Sequence, residues 1–140
     1  MATVEMSVAL GADADAVWAL IGDFGNLPGW HPAIESSTPE DDGRLRRLTI
    51  AGGGGEVVER LHAHDDAARA YTYGIEAGAI PVADYVSTLR VAPSDAAGTC
   101  TVFWSASFTP AGVPEQTAIE TIAGVYQAGL DRLAQMFGTA

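Results

Sequence analysis

The chain has 140 residues, 48% of them hydrophobic and 18% charged, and carries a formal charge of −11. That balance belongs to folded globular proteins rather than disordered ones, and a single core at this length buries about two thirds of the unfolded surface. Seven arginines, no lysine and eighteen carboxylates repel phosphate backbones and anionic lipid, which argues against nucleic acid and membrane surfaces as partners. No apolar run approaches the roughly 20 residues that cross a bilayer. Met1 to Leu10 has neither the basic segment nor the apolar block of a signal peptide. One cysteine, Cys100, forms no internal disulfide and suits a reducing compartment, so the expected location is the cytoplasm.

Residues 2–10 alternate Val4, Met6, Val8 and Leu10 against polar partners, the pattern of a half-buried strand. A short amphipathic helix follows, with Val17, Leu20, Ile21 and Phe24 on its apolar face and Asp13 or Asp15 placed to cap its start. Gly22, Gly25, Pro28, Gly29 and Pro32 then break regular structure and hold Trp30 and His31 in a turn, an arrangement that suits the rim of an apolar cavity. Strands are expected over about 33–38, 44–51, 56–64, 69–77, 84–93 and 99–109. Between them fall Asp41-Asp42-Gly43, the run Gly52 to Gly55, Asp65-Asp66, the turn at 78–81, and the segment from Pro93 to Gly98. Such short breaks mean antiparallel hairpins, because a parallel crossover needs a helix. From Pro114 to Phe137 the apolar period becomes three and four, through Ile119, Ile122, Ala123, Tyr126, Leu130 and Leu133, which predicts one long helix. There are no repeats and no linker, and residues 1–140 read as a single domain.

The segments VWALIGDFGNLPGWHP (17–32), EVVERLHAHDDAARAYTYGI (56–75), PVADYVSTLRV (81–91) and FWSASFTPAG (103–112) carry a further signal. With this order of elements they resemble the START/birch-pollen-allergen superfamily, also called SRPBCC, in its bacterial polyketide cyclase/dehydrase-like branch. The resemblance implies an α+β helix-grip fold: a curved seven-stranded antiparallel sheet wrapped on a long C-terminal helix, with short helices after the first strand. It does not fix activity, since the superfamily holds carriers, cyclases, hormone receptors and chaperone-activator modules.

Strand alternation indicates which side chains point inward. Over 99–109 the bulky set is Val102, Trp104, Ala106 and Phe108; over 69–77 it is Tyr71, Tyr73 and Ile75. Over 84–93, Leu89 and Val91 bring Tyr85 and Ser87 inward, and over 56–64 the inner set is Val57, Glu59 and Leu61, with His62 and His64 outward. Glu59 is thus a carboxylate among aromatics, which must find donors or become neutral. Tyr73, Tyr85, Ser87 or His31 could supply them, and the group is either a polar anchor, a general acid/base or a structural tie. His31 is either a packed, backbone-bonded residue or a group at the cavity mouth that titrates near neutral pH. The His62/His64 pair lacks a third ligand, so no metal is expected, and nothing calls for a cofactor. Ser105, Ser107 and Cys100 have no triad pattern, and the Gly52–Gly55 run lacks the Lys-Ser/Thr of a phosphate loop.

The expected function is binding of a small hydrophobic molecule, polyketide-, lipid- or aromatic-like, in a cavity of at least several hundred Å³ between sheet and long helix. Trp30, Tyr71, Tyr73, Tyr85, Ser87, Trp104 and Tyr126 are the candidate ligand-binding residues, and Gly124 and Gly129 either leave room or allow close packing. The alternative implied by the resemblance is a polyketide cyclase or dehydratase using Glu59 or His31 as acid/base. A chaperone-activator-like interaction module is a third reading. Ligand identity and oligomeric state, a homodimer included, are left open by the sequence.

Overall fold

Seven strands and, where the apolar period changes, one long helix make up the computed structural model, which describes residues 1–78 and 80–140. Ala79, within the expected turn at 78–81, lies outside the described residues. β1 (Ala2–Leu10) leads to α1 (Ala14–Ile21) and a 3-10 turn over Phe24–Gly29. Then come β2 (Ile34–Glu40), β3 (Leu45–Ile50), β4 (Glu56–Asp65), β5 (Ala70–Gly78), β6 (Val82–Pro93), β7 (Cys100–Pro110) and α2 (Glu115–Phe137). The strands form one antiparallel sheet in the order β1-β7-β6-β5-β4-β3-β2. The connection from β1 to β2 therefore crosses from one edge to the other, carrying α1 and the 3-10 turn over the end of the sheet. This is the expected α+β helix-grip architecture.

α2 turns Ala118, Ile122, Tyr126, Gly129, Leu130 and Leu133 inward at spacings of three and four, against Val4, Leu10, Val102 and Trp104 of the sheet's inner face. Its last turn is fastened to β1, where Gly11 N–H donates to the Gly138 carbonyl and Leu10 bridges Thr139. No described helix is long and apolar enough to cross a membrane.

Two local expectations change. Asp13 is the N-cap residue of α1 but its side chain makes no capping bond; its carbonyl accepts from Val17 N–H instead. Asp15 is drawn to Arg69, 2.7 Å away, and Asp23 caps the 3-10 turn by accepting from Gly25 N–H. In β4 the register slips between Leu61 and Ala63, leaving His62 as an extra residue. A one-residue slip turns the rest of the strand to the other face. His62 lies against Gly74 on the outside, whereas His64 stacks on Tyr71 and donates to the Gly22 carbonyl. The two imidazoles do not share a face, contrary to the simple alternation.

The two glycines of α2 differ in kind. A Cβ at Gly129 would come within 2.9 Å of ring atoms of His31 and Trp104 and 3.0 Å of Trp30, whereas one at Gly124 would meet nothing within 4 Å. Gly129→Ala is expected to lose about 1–2 kcal/mol, overpacking outweighing the gain in helix propensity. Gly124→Ala should instead gain up to about 1 kcal/mol. Urea unfolding of both variants checks this, and a Gly129→Ala protein as stable as wild type would mean that the aromatic layer is not tightly packed.

Candidate functional site

Antiparallel pairing of β3 with β4 sets Arg46 directly opposite Glu59 and Leu48 opposite Val57. All four face inward, and Arg46 and Glu59 are 1% and 7% exposed. Burying either charge alone would be expensive, and each is paired with the other. Arg46 Nε donates to Glu59 Oε1 at 2.8 Å and Nη1 to the Phe24 carbonyl at 2.8 Å. Nη2 stands 2.7 Å from the same Oε1, but off the hydrogen-bond direction, so that N–H pair has no aligned acceptor among the described residues. The guanidinium carbon lies 4.0 Å from the Phe24 ring centre, 5.0 Å from Tyr73 and 5.9 Å from Tyr71, an aromatic cage of the kind that holds a cation. Burial alone would pull the Arg46 pKa down; the Glu59 charge and the Tyr71 and Tyr73 oxygens reverse this and hold it above its ordinary value.

Glu59 borders an apolar cavity between the sheet and α2. Leu48, Val57 and Ile75 line it from the sheet and Ile122 and Val125 from α2, with the rings of Tyr73, Tyr85 and Trp104 between. Its volume is about 60 Å³, room for roughly four to six water molecules at about 10–15 Å³ each. The position matches the expectation; the size does not reach several hundred Å³. Aromatic rings take up the rest of the space, above all Tyr126, which lies flat on Trp104 with ring centres 4.2 Å apart.

Of the expected ligand-binding set, Tyr73, Tyr85 and Trp104 line this cavity, while Trp30, Tyr71, Ser87 and Tyr126 do not. Tyr71 packs beneath Arg46 and edge-on to Phe24. Trp30 is 1% exposed, packs on Trp104 and borders a separate surface groove of about 490 Å³ beside α2. Ser87 and Tyr126 belong to a chain of hydrogen bonds behind the cavity wall. Ser87 Oγ donates to the Ser105 carbonyl at 3.0 Å and so accepts from the Tyr126 hydroxyl at 2.7 Å. With its single proton used, Tyr126 accepts from Tyr85. Trp104 Nε1 donates to the Tyr73 hydroxyl at 3.1 Å, and Tyr73 stands 3.5 Å from Tyr85. Burial raises the pKa of Tyr73, Tyr85 and Tyr126 well above the ordinary phenol value, so all three stay protonated.

His31 has both ring nitrogens engaged. Nδ1 accepts from Ala33 N–H at 3.1 Å, so Nε2 carries the proton and donates to the Val125 carbonyl of α2 at 2.7 Å. Burial lowers its pKa, the Val125 bond partly opposes this, and the nearby Arg46 charge adds to it. The ring is therefore neutral at neutral pH and ties the turn to α2. It is the one described residue that borders both the cavity and the groove beside α2.

Parity placed Glu59 correctly, with Arg60 turned outward to pair with Glu76. What sequence reasoning missed is Arg46. The signal was present: Leu48, on an apolar alternation with Arg46 in the segment 44–51, marks the inner face and would have put the arginine opposite the carboxylate.

Breaking the pair from one side should expose its worth. Arg46→Met leaves an uncompensated buried carboxylate and is expected to destabilise by about 3–5 kcal/mol, while Arg46→Met with Glu59→Met recovers most of that loss. Chemical denaturation reads both. A single variant that loses no more than about 1 kcal/mol would contradict the buried pairing.

The sequence pattern of the family described as polyketide cyclase/dehydrase and lipid transport matches residues 1–138. The structure is similar to that of the protein XoxI from Bacillus cereus, with 39% identity, coverage of 98% of this chain and 96% of that one, and a TM-score of 0.95. A Thermobifida fusca protein is 31% identical over 99% of this chain and 94% of its own, with a TM-score of 0.86. The Zhui aromatase/cyclase of Streptomyces sp. R1128 shares the fold at 21% identity, covering 96% of this chain and 92% of that one, with a TM-score of 0.78. No curated protein matches the sequence significantly.

Proposed function

The chain belongs to the polyketide cyclase/dehydrase and lipid transport family, and we propose that it binds a small hydrophobic molecule in the cavity between the sheet and α2. The observation that carries this reading is a carboxylate inside an otherwise apolar, aromatic-lined cavity. Glu59 Oε1 is taken by Arg46, and no described residue bonds to Oε2. Glu59 borders this cavity alone among those described, so its second oxygen is offered to whatever enters. Apolar walls with a few convergent polar groups are the usual make-up of a ligand site. Tyr73, Tyr85 and Trp104 orient the ligand, while Arg46 holds the carboxylate in place.

Catalysis is the second reading, favoured by that same free oxygen. In a cyclase or dehydratase, Glu59 would accept a proton from the substrate and the Tyr73 hydroxyl would polarise a carbonyl. His31 would position the turn rather than move a proton, since both its nitrogens are occupied. An interaction module is supported less well: among the described residues the large apolar side chains left exposed are four, Met1, Val86 on β6, Phe103 on β7 and Met136 on α2.

Native mass spectrometry of freshly purified protein is expected to retain a small molecule, and Val125→Phe, which fills the cavity, should release it while the fold persists. Protein that carries no small molecule, and whose melting temperature no apolar compound raises, would defeat the binding reading. Turnover of a bound compound that falls about 100- to 10,000-fold in Glu59→Gln would move the assignment to the enzyme.

A further inference from the structure

The cavity presents two unlike polar atoms, and counting protons along the chain of hydroxyls shows what each can do. Glu59 Oε2 has no partner among the described residues and only accepts. Glu59 borders the cavity, and its side chain keeps 9% of its surface exposed. On the other wall, the proton of Ser87 goes to the Ser105 carbonyl, that of Tyr126 to Ser87 and that of Tyr85 to Tyr126. Tyr73 is the member whose proton has no close acceptor: Tyr85 is at 3.5 Å, the limit of a hydrogen bond. Its oxygen already accepts from Trp104 Nε1 at 3.1 Å, and Tyr73 lines the cavity, so its O–H is the donor of this wall still without a close acceptor.

One acceptor and one donor in an apolar chamber match a group that both donates and accepts. Building on the binding reading above, we propose that the ligand is a single-ring compound with a neutral hydroxyl, a phenol or a cyclic alcohol. The hydroxyl donates to Glu59 Oε2 and accepts from Tyr73. A carboxylate is excluded, because its oxygens would face the Glu59 charge in a low-dielectric space with only one donor to receive them. A pure hydrocarbon enters but leaves Oε2 without a partner. Size admits at most one ring: about 60 Å³ is less than the apolar cavity of about 150 Å³ that takes benzene, so a single ring seats only as the lining side chains yield.

Three ring-matched probes test this: p-cresol, toluene and p-toluate, titrated into the intact chain at neutral pH and followed by NMR on the methyl groups of Ile75, Ile122 and Val125. p-Cresol is expected to bind at least tenfold more tightly than toluene, and p-toluate should leave the cavity signals unmoved. In Glu59→Gln, the amide oxygen turns to Arg46 and the amide N–H₂ faces the cavity, so the hydroxyl proton loses its acceptor, the preference for p-cresol over toluene should fall, and p-toluate should begin to bind. The wild-type series stands by itself should that variant fail to fold. Toluene binding as tightly as p-cresol, or p-toluate binding to wild type, would overturn the hydroxyl assignment and leave the binding reading intact. If no probe shifts the cavity methyls, both fall.

Discussion

The ion pair between Arg46 and Glu59 is the constraint around which the interior is arranged. Two opposite charges on neighbouring strands, each almost fully out of water, have no tolerable position except against each other. To hold them there, the 3-10 turn delivers the Phe24 carbonyl as an acceptor and its ring as a platform, and β5 supplies Tyr71 and Tyr73 beside the guanidinium. The pair therefore ties β3, β4, β5 and the connection that crosses the sheet. It also sets the chemistry of the cavity, since only one oxygen of the carboxylate is used up in the tie.

A second layer closes the opposite end. Trp30, His31 and Trp104 converge on the bare backbone of α2 at Gly129, and His31 spans from Ala33 to the Val125 carbonyl. Interiors pack as densely as organic crystals, so rings brought together in this way leave little empty space. The small cavity is the consequence. It lies where the ring layer ends and the aliphatic side chains of β3, β4 and α2 begin, and its polar groups belong to the ion pair and to the tyrosine chain. Binding and stability thus draw on the same residues: Tyr73 lines the cavity, flanks Arg46 and takes a hydrogen bond from Trp104.

The fold was legible because its signals are local and periodic. Turn-rich breaks bounded the strands, period-two alternation marked β1 and the inner faces of β4 to β7, three-and-four spacing marked α2, and Pro/Gly punctuation marked the turn that carries Trp30 and His31. The inward faces of β5, β6 and β7 come from the same parity and hold in the structure, as does Glu59 on β4. Parity failed beyond His62, at His64, because a bulge depends on how β4 meets β5 and leaves no trace in β4 alone. The partner of Glu59 was missed for a related reason. An arginine beside a second arginine reads as solvated unless its parity with Leu48 is followed, and the register with β4 then sets it opposite Glu59. Cavity volume is the least legible quantity of all, being a small difference between the space enclosed and the side chains that fill it. Six aromatic candidates could equally line a large chamber or fill a small one, and here the stacking of Tyr126 on Trp104 decides for the small one.

The buried pairing is tested most directly by hydrogen exchange at the arginine side chains. The Nε–H of Arg46, bonded to Glu59 and closed off by Phe24, should exchange orders of magnitude more slowly than those of Arg47 and Arg60, whose side chains are 41% and 39% exposed. NMR of the guanidinium Nε–H signals reads this at neutral pH. One strongly protected signal, lost when Arg46 is replaced, is the expected result. Exchange at Arg46 as fast as at Arg47 would contradict the account, because a guanidinium open to water could neither require Glu59 inside nor hold it at the cavity wall.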